Sequence, residues 1–140
     1  MKCDLLVTEP HVICNICALA RNGLVIYNAE YLNLFTDNNH LGLMFSAGVV
    51  SYYYNPDIDY EYEVTPSETN PLLLRPSKER ALVECIKFLD YVDEGLLIEG
   101  LKSYLDNFWD DKIYTVGEHF GISRETLDYW FKEAREDCEI

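Results

Sequence analysis

Apolar positions change their spacing along the 140-residue chain, and each change predicts a different kind of element. Residues 1 to about 36 read as helical. Val12, Ile13, Ile16, Cys17, Leu19 and Ala20 recur at the intervals of one helix face, Pro10 suits a first turn, and Thr8 can cap it. Arg21-Asn22-Gly23 is a stop signal. Residues 24–36 fit a short strand or a second helix capped at Asn28, and the part from Asn28 onward is read as helix.

From residue 41 to residue 74 the pattern turns extended. Val49, Val50, Tyr52, Tyr53 and Tyr54 are strand formers, and Asn55-Pro56-Asp57 is a turn signal. Asp57, Asp59, Glu61 and Glu63 then alternate with Ile58, Tyr60, Tyr62 and Val64. In a strand, this period of two sends the acids to one face and the aromatics to the other. A Pro/Ser/Asn loop and the short apolar run Leu72-Leu73-Leu74 complete a small antiparallel sheet.

Beyond Pro76 the spacing is helical throughout. Ser77 caps a helix whose first turn holds Glu79, and Leu82, Cys85, Ile86, Leu89 and Val92 follow on one stripe. Asp93 opens another, with Leu97, Ile98, Leu101, Tyr104, Leu105 and Phe108. Residues 113–134 fit a helix-turn-helix: Gly117 allows close approach of a partner helix, Gly121 supplies a positive φ at the turn, and Ser123 caps the second helix. Leu127, Trp130, Phe131 and Ala134 then pack inward. The predicted fold is α+β: N-terminal helices, a small antiparallel sheet, and a C-terminal helical bundle ending in a helix-turn-helix-like hairpin. Residues 1–75 and 76–140 are its two parts, joined in one compact unit.

Charge narrows the function. Twenty-five acids against 11 Lys and Arg give a net charge of −14, which argues against direct nucleic-acid binding, since that depends on neutralising phosphates. The hairpin positions facing outward are Arg124, Glu125, Asp128, Tyr129 and Lys132, whose acids match their cations. They make a weak DNA reader and a better packing unit or docking surface. No Lys or Arg lies between Arg21 and Arg75, so Asp57, Asp59, Glu61 and Glu63 are the candidate contact residues for a basic protein partner. A solvated edge strand is the plainer reading of the same row. No apolar run is long enough to span a membrane, and the first residues lack a signal-peptide layout, so a cytoplasmic location is expected.

The cysteines Cys3, Cys14, Cys17, Cys85 and Cys138 are odd in number and irregularly spaced, which suits reduced thiols. Cys14-x-x-Cys17 behind His11 has the spacing of half a zinc site, but no second pair follows; the pair reads as core, and no metal or cofactor is expected. His11, His40 and His119 accompany no nucleophile motif, and no glycine-rich phosphate loop occurs. No enzyme activity is expected.

The segment LLLRPSKERALVECIKFLDYVDEGLLIEGLKSYL resembles the C-terminal region of the abortive-infection type IV antitoxins, the AbiEi group. A short strand enters a Pro/Ser turn, and Glu79-Arg80-Ala81-Leu82 opens an apolar helix; the compatible region covers about residues 12 to 105. The resemblance implies a non-enzymatic antitoxin that counters a nucleotidyltransferase toxin. Members of the group carry a winged helix that binds operator DNA, and the hairpin at 113–134 is not in its position. The expected function is therefore a regulatory protein acting through protein contacts, antitoxin-like. The alternatives are a phage or mobile-element inhibitor of a defence nuclease, acting as an acidic nucleic-acid mimic, and a helix-turn-helix DNA-binding regulator.

Overall fold

The computed structural model describes residues 7–27, 32–38, 45–46 and 50–137. Cys3, Cys138, His40 and the Asn28 cap lie outside the described residues. Strand β1 (His11–Val12) replaces the start of the expected N-terminal helix, and α1 runs only from Asn15 to Arg21. The break is at Asn15, which has φ +57. Asparagine tolerates this left-handed conformation because its side chain bonds locally, and here Asn15 Oδ1 accepts from the Ile16 N–H at 2.7 Å. The helix stops where Arg21-Asn22-Gly23 predicts, with Gly23 at φ +74. Asn22 Nδ2 then donates to the Pro76 carbonyl at 2.9 Å and docks this end of α1 on the later chain.

Residues 32–36, read as helix, are strand β2 (Leu32–Thr36). The remaining strands are β3 (Phe45–Ser46), β4 (Val50–Tyr54), β5 (Val64–Pro66) and β6 (Leu73–Pro76). They form two three-stranded sheets, ordered β1-β6-β5 and β2-β4-β3. Both are mixed, not antiparallel. Chain neighbours β5 and β6 pair antiparallel, as do β3 and β4, whereas β1 with β6 and β2 with β4 run parallel after crossovers. An Ile13–Leu34 bridge and the Cys14 N–H to Asn33 carbonyl bond join the sheets.

The alternating segment 57–63 is not a strand. Asn55 Oδ1 accepts from the Asp57 N–H at 3.0 Å, and Asp59 Oδ1 accepts from the Glu61 and Tyr62 N–H groups, both at 2.9 Å. These local bonds give the backbone a partner that a ladder would otherwise supply. Glu63, at φ +53, turns the chain into β5.

The C-terminal helices α2 (Lys78–Lys87), α3 (Glu94–Asn107), α4 (Lys112–His119) and α5 (Arg124–Asp137) follow the predicted order. Ser77 Oγ accepts from the Arg80 N–H, and Asp93 Oδ1 from the Leu96 N–H. A 3₁₀ turn, Leu89–Tyr91, interrupts the predicted stripe and leaves Leu89 exposed, as Phe108 is after α3. The hairpin conforms closely. Gly121 has φ +78, and a Cβ on Gly117 would come within 2.8 Å of Leu127 Cδ1 and 2.9 Å of the Ile122 carbonyl oxygen. One apolar core runs from Ile13 and Leu19 through Leu34, Leu73 and Leu82 to Leu101, Leu127 and Ala134. Both parts of the chain contribute to it, and a second, smaller cluster holds Val12, Cys14 and Phe35 with Phe88 packed against them. The class is α+β.

Candidate interaction surface

The helix start Glu79-Arg80-Ala81-Leu82 is wholly buried. Arg80 donates through Nε to Glu84 Oε1 at 3.0 Å and through Nη2 to Glu84 Oε2 at 3.3 Å. Its Nη1 donates to the Tyr62 carbonyl at 2.6 Å, and the guanidinium lies 5.0 Å from the Phe120 ring centre. One side chain thus ties α2, the 57–63 turn and the residue after α4. Burial pushes the Glu84 carboxyl up, with Arg80 opposing. Glu79 Oε2 accepts from the Tyr104 hydroxyl at 2.7 Å, and burial together with that bond pushes the Tyr104 phenol up. The residues that carry the sequence resemblance are therefore a structural joint.

The four candidate acids divide. His119 Nε2 donates to Asp59 Oδ2 at 2.8 Å, with the imidazole stacked on Tyr62 at 3.7 Å. Burial alone would raise the Asp59 carboxyl, but the Glu61 and Tyr62 N–H groups and His119 outweigh it and hold it at about 2. Lys112 Nζ lies 3.1 Å from Glu63 and 3.5 Å from Glu79, and these carboxylates, Glu63 foremost, push the ammonium up. Asp57 and Glu61 are exposed and form no ion pair among the described residues. His119 is exposed as expected, yet its attachment to Asp59 spans 60 positions and leaves no local trace in the sequence.

Arg124, Glu125, Asp128, Tyr129 and Lys132 all lie exposed on α5. Their cations are engaged within the fold. Arg124 sits 4.0 Å over the Tyr114 ring, whose hydroxyl donates to Asp128 Oδ1 at 2.6 Å, and Lys132 lies 3.9 Å from Glu136. Tyr129 is the most open ring of the set, at 56% exposure.

Cys14, Cys17 and Cys85 are buried cysteines outside any disulfide, and burial pushes the Cys14 and Cys85 thiols up. His11 Nδ1 donates to the Phe35 carbonyl at 3.1 Å. Among the described residues, no three His, Cys, Asp or Glu groups converge as a metal site would need. Beside Glu84, Cys14 and Cys85 lies a space of only about 10 Å³. Larger hollows of about 290–390 Å³ are open grooves on the surface. Among the described residues no helix is long and apolar enough to cross a membrane. No protein-family model matches the chain, and no curated protein does either.

Proposed function

We propose that this chain is a non-enzymatic, cytoplasmic regulator that acts through contact with a basic protein partner, in the manner of an antitoxin restraining its toxin. The observation that carries the reading is the division of the acids. His119 and Lys112 serve Asp59, Glu63 and Glu79 internally, whereas Asp57 and Glu61 stay open to solvent in a molecule of net charge −14. Open carboxylates without internal partners steer a cationic surface and set its orientation. The resemblance of the buried Glu79–Leu82 helix start to the AbiEi group supports the antitoxin-like part. The mimic reading loses the strand that would have aligned its charges, and the DNA reading finds its hairpin cations turned onto Tyr114 and Glu136.

The test is capture of the partner by tagged chain from the cells that express it, followed by a salt series with purified components. The Asp57→Asn/Glu61→Gln double variant should keep the wild-type unfolding midpoint and slow association most at low salt. Equal association at every salt concentration, or a wild type that retains no protein partner, overturns the proposal.

A further inference from the structure

Over the sheet face that carries Asn33, Ser51 and Tyr53 lies an open groove of about 290 Å³ with an unusual lining. Asn33 and Ser51 are register partners in parallel β2 and β4, and Tyr53 stands two positions beyond Ser51, so all three share one face. The Tyr53 ring leans on Tyr91 with centres 5.3 Å apart. Tyr91 belongs to the 3₁₀ turn, and its carbonyl accepts from Asn15 Nδ2 at 2.8 Å. The left-handed Asn15, the backbone outlier that separates β1 from α1, is therefore spent on fixing this rim. Tyr27 and Tyr91, each 44% exposed, present open ring surface.

Three tyrosines and a serine give the groove rigid amphipathic rings beside a small polar group, while its asparagines hold the frame: Asn15 bonds Ile16 and Tyr91, and Asn33 Oδ1 accepts from the Cys17 N–H. Asp93 is the one charged residue among the groove's described lining residues, and its Oδ1 is held by capping the Leu96 N–H. A carboxylate beside tyrosine faces, in a strongly acidic molecule, favours a cation, and a planar guanidinium stacks on such rings better than an ammonium does. The volume is at the lower limit for small-molecule sites and suits a single long side chain.

We propose that this groove receives an arginine-bearing extended segment of the protein partner, with the guanidinium stacked on the tyrosine rings and drawn in by Asp93. The inference rests on the partner reading above and names the chemistry of the contact.

The probe is a capped Gly-Pro-Arg-Pro-Gly peptide, titrated into ¹⁵N-labelled full chain beside its citrulline counterpart, which keeps shape and loses charge. Saturable shifts should gather at Asn15, Ser51, Tyr53 and Tyr91, and the citrulline peptide should bind at least fivefold more weakly. Asp93→Asn keeps a capping side chain and Tyr91→Leu keeps apolar bulk; both should weaken the arginine peptide at least fivefold with the unfolding midpoint held. Tyr129→Ala on α5 should leave binding unchanged. Shifts spread over the acidic surface, equal binding of the two peptides, or full affinity in Asp93→Asn and Tyr91→Leu overturns the groove. Retention of the captured partner by wild type and by Asp93→Asn alike overturns the groove and leaves the partner reading standing; a wild type that retains none removes the reading beneath it.

Discussion

Replacing Arg80 by Met tests the joint between the two parts of the chain. The guanidinium is fully buried and donates three hydrogen bonds, two to Glu84 and one to the Tyr62 carbonyl. Removing it strands a buried carboxylate, which costs about 3–5 kcal/mol, and leaves a carbonyl whose lost partner adds about 1 kcal/mol or more. Against a total stability of about 5–15 kcal/mol, that is a large share. Replacing both partners, Arg80→Met with Glu84→Leu, removes the stranded charge and should return stability to within about 2 kcal/mol of wild type. The pair should thus show a coupling of at least about 2 kcal/mol in a double-mutant cycle. Protonation adds a second signature. Burial already raises the Glu84 carboxyl against the pull of Arg80, so its loss raises it further. The folded variant then binds a proton more tightly than the unfolded chain, so its stability is greatest at low pH and is lost as pH rises through the folded value. The Arg80→Met penalty should accordingly shrink as pH falls from neutral towards the ordinary carboxylate range. Urea unfolding of the four proteins, followed by fluorescence of Trp109 and Trp130, reads all of this. A single-variant cost below about 1 kcal/mol, or a cycle without coupling, would refute the assignment of the joint.

Asp59 makes the opposite pH statement. Its carboxyl is held at about 2 against an ordinary 3.8, so the stability it adds is present above the higher value and lost as pH falls towards the lower. With solvent screening the contribution is about 1 kcal/mol, and Asp59→Ala should abolish that part of the acid slope in urea titrations; an unchanged slope refutes it. Gly117→Ala drives a methyl into Leu127 and the Ile122 carbonyl and should cost about 1–3 kcal/mol, whereas Gly121→Ala pays only for its φ, about 1–2 kcal/mol; thermal melts should show this ranking or none. Trp130→Ala should cost about 3–5 kcal/mol and Arg124→Ala under about 1 kcal/mol, the reverse order contradicting the packing described for α5. Cys14 and Cys85 should be alkylated at neutral pH only as fast as the protein unfolds, and peptide mass analysis showing rapid native labelling would contradict their burial.

What the sequence revealed was local. The hairpin could be read from Gly117, Gly121 and Ser123 because its turn, its close approach and its cap sit within a few residues. The caps Ser77 and Asp93 were legible for the same reason. The sheets were not: His11 pairs with Leu73 and Leu32 with Val50, and no spacing rule reports a parallel partner reached by a crossover. The 57–64 alternation misled because a period of two is shared by strands and by successive side-chain-capped turns; Asn55 and Asp59, both turn formers, held the clue. The candidate acids could be named from the sequence but not sorted, since Lys112 meets Glu63 and His119 meets Asp59 only through the tertiary fold.

The parallel pairing of β1 with β6 also sets a clock on synthesis. His11 and Val12 have their partners 62 residues later, at Leu73 and Leu74. At about 5–20 residues per second, the ribosome takes about 3–12 s to deliver them. Through that interval the apolar β-branched pair Val12-Ile13 waits without its ladder. Slowing translation between residues 13 and 73 should therefore lower the soluble yield, and slowing it after Asp93 should matter less.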